Sequence, residues 1–104
     1  MRKDKQIAKL RIENQDYSIR ATSHSLIRME QRGIDEYVVS GNVLSLGQAK
    51  LLEYKENGRD IAIIDKVKKV AVIATFKKNT IIIITVIDKK DIWVKDGTTI
   101  ENIF

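Results

Sequence analysis

Apolar positions follow two different periods along this chain. In the first half they recur every three or four residues, as on the buried stripe of a helix. In the second half they alternate or run together, as in strands. Leu26 and Met29 lie on one side of an otherwise polar segment, which predicts a helix over residues 24–32. Thr22 or Ser23 offers a capping hydroxyl in front of it, and Gly33 suits the left-handed position that ends it. Asp35 opens a second helix over 36–46, closed by Gly47, although Gly41 inside it costs about 1 kcal/mol relative to alanine. Residues 1–16 are basic and polar, with Ile7, Leu10 and Ile12 at loose helical spacing. They read as a short helix or a mobile basic arm. Residues 17–21 alternate weakly and read as a short strand.

The second half predicts a meander. Residues 51–55 and 60–64 flank Asn57-Gly58, a two-residue hairpin signal because both positions tolerate positive φ. Residues 69–76 and 81–87 flank a second expected hairpin at 77–80. Residues 81–87, Ile-Ile-Ile-Ile-Thr-Val-Ile, are apolar on both faces and predict a central strand covered on both sides. Ile92, Trp93 and Val94 supply a last strand or a cap on the other face. The expected class is α+β: two or three N-terminal helices on one face of a four- to five-stranded, mainly antiparallel sheet.

Composition narrows the chemistry. The chain has 104 residues, enough for one domain with a single core. One histidine and no cysteine leave too few ligands for a structural zinc site, so no metal and no cofactor is expected. No Gly-rich phosphate loop and no His-x-x-x-His pair is present. The net charge is +5, and it is uneven. Residues 1–32 carry eight basic and four acidic groups, and residues 65–104 carry eight and five. A basic surface attracts polyanions by counterion release, which makes RNA the first partner to consider. The same excess also serves solubility alone. Residues 1–6 are charged and lead into no apolar stretch of the secretory kind, and the run at 81–87 is too short to span a bilayer. A cytoplasmic site of action is the expectation.

The first helix carries the clearest chemistry. At about 100° per residue, His24, Arg28, Gln31 and Arg32 fall within an arc of about 100°. Histidine exchanges a proton near neutral pH, and arginines one turn apart can grip a phosphate. Those are minimal parts for cleaving RNA without a metal. An amphipathic helix with a solvated cationic face has the same pattern. Tyr54 could stack on a base or bond a phosphate, or be an ordinary half-buried strand residue. Lys66, Lys68 and Lys69 could track an RNA backbone, or form a solvated bend between strands.

The stretch from Ser23 to Ile34, Ser-His-Ser-Leu-Ile-Arg-Met-Glu-Gln-Arg-Gly-Ile, followed by Val38 and Val43-Leu44, resembles the signature of the DUF4258 family. That pattern runs His-Ala, Arg-Met, Arg-Gly-Ile, then a Val-bearing second helix; Ser25 stands where the family usually has alanine. Residues 83–87 resemble its closing strand with a Thr-Val pair. The family is similar to the RelE-like and broader barnase–EndoU–colicin–RelE group of small toxin ribonucleases. The resemblance implies metal-independent RNA cleavage through 2′-hydroxyl attack, with His24, Arg28, Arg32 and Thr85 as the catalytic set. It also implies an acidic antitoxin or immunity protein as partner. Gln31, Tyr54, Lys66, Lys68 and Lys69 are the candidate substrate contacts. Two rival readings stand beside it: a non-catalytic RNA- or protein-binding module on the same fold, and a homodimer that covers the second sheet face.

Overall fold

The chain begins its fold with a hairpin. In a computed structural model that describes residues 4–88 and 97–103, β1 (Lys5–Ile12) pairs antiparallel with β2 (Gln15–Ala21). The connecting Glu13 and Asn14 both have positive φ, 49° and 65°, the mirror-image turn whose twist matches two strands. Residues 5–12 are therefore a strand, not the expected helix or arm. A register shift between Gln6 and Ala8 leaves Ile7 as an extra residue. That shift breaks the strict alternation and gives Ile7, Leu10 and Ile12 their helix-like spacing.

Three helices follow: α1 (Ser23–Arg32), α2 (Glu36–Leu44) and α3 (Gln48–Asn57). Thr22 caps α1, and Gly33 ends it in the left-handed conformation, as the pattern predicts. The second helix stops at Leu44, two residues earlier than expected. The expected strand at 51–55 is instead the body of α3, which buries Leu51 and Tyr54 three residues apart. Gly58 has φ 66° and sends its N–H to the Tyr54 carbonyl, so Asn57-Gly58 ends a helix and turns no hairpin. Both roles need a residue at ease with positive φ, so the dipeptide does not distinguish them.

The remaining strands are β3 (Ile61–Asp65), β4 (Val70–Lys77), β5 (Thr80–Ile87) and β6 (Thr99–Asn102). The 77–80 hairpin forms as expected between β4 and β5. Among the described residues the sheet has six strands in the order β1-β2-β5-β4-β3-β6. It is mixed, because β2 pairs β5 in parallel and β3 pairs β6 in parallel. This corrects the expected order and pairing: the helices lie between strands, not ahead of them. The helical crossover from β2 to β3 returns the chain to the same end of the sheet, so these strands run the same way.

The three helices and the sheet share one buried cluster. Leu26 and Met29, Val39 and Val43, and Leu51 and Tyr54 pack with strand residues such as Ile19, Ile63, Val72 and Ile83. The helices thus all pack on the sheet through this one cluster. Strand β5 is central, with Ile81, Ile83 and Val86 buried, while Ile82, Ile84, Thr85 and Ile87 are only half-buried. No described helix is long and apolar enough to cross a membrane. Ile92, Trp93 and Val94 lie outside the described residues.

Candidate active site at the first helix and the central strand

Helix α1 takes over the edge of β5 where β2 leaves it. The last β2–β5 pair is Ala21 with Ile83, and β5 continues four residues further. Thr22 bridges the two elements. Its N–H donates to the Ile83 carbonyl at 3.2 Å and its hydroxyl to the Ile84 carbonyl at 3.3 Å. The same Oγ1 accepts the Ser25 N–H at 3.1 Å, so one residue caps α1 and fastens it to β5. Ser25, fully buried, donates its own hydroxyl back to the Thr22 carbonyl at 2.9 Å. Asp4 also reaches this end, its Oδ1 accepting the Ser23 N–H at 3.1 Å.

A bulge aims the strand at the helix. Ala74 pairs with Ile83 but Ile73 pairs with Thr85, so Ile84 is an extra residue in β5. Bulges commonly redirect a side chain in this way. Thr85 Oγ1 lies 3.4 Å from Nε2 of exposed His24, a long hydrogen-bond distance. The contact serves either tautomer: the hydroxyl donates to a bare nitrogen or accepts from a protonated one. Thr85, the supporting donor implied by the resemblance, therefore meets His24 from 61 residues away.

The arginines divide. Arg28, one turn beyond His24, is half-buried and donates to the Gln31 side-chain oxygen at 3.3 Å. Arg32 turns under the helix end, with its side chain only 19% exposed. Its Nε lies 3.0 Å from Asp88 Oδ1, and Nη1 donates to the Val86 carbonyl. The shared helical arc placed Arg32 beside Arg28, but the long side chain bends toward the carboxylate and carbonyl at the end of β5. Asp88 sits in a charge-balanced stretch, so nothing local announces this pairing.

The other candidates occupy different places. Lys66, Lys68 and Lys69 are exposed in the β3–β4 turn. Buried Asp65 organises that turn by accepting the Val67 and Lys68 N–H groups, both at 3.0 Å. Ala71 opposite Ile87 puts the turn at the end of the sheet where β5 finishes. Tyr54 is 3% exposed, so its ring has no free face for a base. Its hydroxyl donates to the carboxylate of Glu101 on β6, which Lys50 approaches at 3.3 Å. Burial, reinforced by Glu101, pushes the Tyr54 hydroxyl well above its ordinary value; the Tyr54 bond and Lys50 hold Glu101 below its own. β6 is three strand spacings from β5, roughly 14 Å, which separates Tyr54 from His24.

Among the described residues no group of three His, Cys, Asp or Glu side chains could hold a metal ion. No family model, curated protein or solved structure matches the chain. The chemistry available at the site is proton transfer at His24, hydrogen bonding at Thr85 and anion binding at Arg28.

Proposed function

We propose that this protein is a small metal-independent ribonuclease of toxin type acting in the cytoplasm, in keeping with its resemblance to DUF4258 and the RelE-like nucleases. The observation that carries the reading is the meeting of His24 and Thr85 at 3.4 Å on the surface, one helical turn from Arg28. In this reading His24 moves the proton of the attacking 2′-hydroxyl or of the leaving oxygen, and Thr85 orients its ring. Arg28, steadied by Gln31, binds the phosphate and stabilises charge on the pentacoordinate centre. The exposed lysines of the β3–β4 turn hold neighbouring phosphates and set no sequence preference. RNA is the substrate, and an acidic antitoxin or immunity protein is the fitting neutralising partner.

Digestion of structured and single-stranded RNA, with and without EDTA, tests the proposal. Cleavage that leaves 2′,3′-cyclic phosphate ends and persists in chelator supports it. RNA that binds but stays intact would instead indicate the non-catalytic binding module on the same fold.

A further inference from the structure

The end of β5 is held by α1 on both sides of Thr85. Thr22 takes the Ile83 and Ile84 carbonyls before it, and Arg32 takes the Val86 carbonyl and the Asp88 carboxylate after it. Between these two fastenings Thr85 pairs with Ile73 in β4 and meets His24 through its hydroxyl. No β2 residue pairs with β5 beyond Ile83. Thr85 lies one residue from the carbonyl that the arginine binds.

We infer that Arg32 and Asp88 form a positioning clamp that keeps Thr85 on His24. Arg32 is thus a positioning residue and not a second phosphate ligand; this rests on the ribonuclease reading of the same site. A guanidinium suits the task because its planar fork bonds a carbonyl and a carboxylate together, whereas an ammonium is a single point of attachment. Its charge is matched by Asp88 at 3.0 Å with most of the side chain shielded from water, which lowers its attraction for a phosphate relative to Arg28. A shift of about 1 Å in a positioned group can cost about 10²-fold in rate, so a clamp outside the reacting atoms has catalytic consequences.

The test reads position and rate separately. The nuclear Overhauser contact between the Thr85 methyl and the His24 ring protons reports the geometry whether or not RNA is cleaved. Arg32→Ala and Asp88→Ala should each abolish it in a folded protein, Arg32→Lys should restore part of it, and Arg28→Ala should leave it intact. In cleavage assays the two clamp variants should lower kcat by about 10²-fold with KM little changed, while Arg28→Ala, which loses a phosphate contact, should raise KM as well as lower kcat. If Arg32→Ala fails to fold, Asp88→Ala carries the decision alone. A contact that survives Asp88→Ala, or is missing from the wild type, overturns the clamp, as does an Arg32→Ala protein that keeps the contact and matches Arg28→Ala in KM. A wild type that cleaves no RNA removes the ribonuclease reading but leaves the contact measurement to judge the clamp.

Discussion

His24 stands on the wet side of α1, while Leu26 and Met29 on the same helix are in the core. That separation makes its two roles measurable apart. His24→Ala should lower RNA turnover by about 10²–10⁴-fold, the range for losing a general acid or base. It should move stability by about 0.5 kcal/mol or less, because the removed ring is exposed. Turnover and thermal midpoint on the same preparation check both, and an unfolded variant would make the histidine structural. Arg28→Ala should reduce cleavage more than Lys68→Ala, since Arg28 lies one turn from His24 and Lys68 lies in the exposed turn after β3. Equal losses in parallel assays would mean that only bulk charge matters. The His24, Arg28 and Gln31 grouping was legible from helical spacing alone. The fate of Arg32 was not, because a flexible side chain chooses its partner from whatever the fold brings within reach.

Elements were legible where residues suited to helix ends marked them. Helix α1 runs between a threonine cap and a left-handed glycine, and both marks fix its limits. Helix α3 was hidden because Leu51, Leu52 and Tyr54 satisfy a strand pattern over five residues and Asn57-Gly58 suits a hairpin. The two assignments make opposite demands on Asn57. As the last residue of an exposed helical turn it should tolerate Asn57→Ala with no loss or a small gain, since alanine is the better helix former. Gly58→Ala should cost about 1 kcal/mol, because φ is 66° there. Urea midpoints of the two variants decide it: a marked loss in Asn57→Ala would restore the turn. Strand β1 is disguised for a related reason: one bulge residue breaks its alternation.

The whole molecule is closed at its far edge by β6, and Tyr54, Glu101 and Lys50 tie that strand to α3. The tie gives a defined pH window. Glu101, held below its ordinary 4.5, adds stability that is present above that pH and fades as the pH falls further. Tyr54, raised above its ordinary 10.0, adds stability that is present below that pH and fades as the pH rises beyond it. Tyr54→Phe should therefore be less stable than wild type between roughly pH 5 and 10, with the difference shrinking on either side. Denaturant midpoints across that range test it, and a constant difference at all pH values would assign the loss to packing. By itself the sequence determined the α+β class, helix α1 and the central position of 81–87, because periodicity and end signals act between near neighbours. Tertiary structure alone decided the six-strand order, the parallel pairs, the His24–Thr85 meeting and the Arg32–Asp88 pair. Each joins residues far apart in the chain, and which of them meet depends on how the helical crossover lays β5 between β2 and β4.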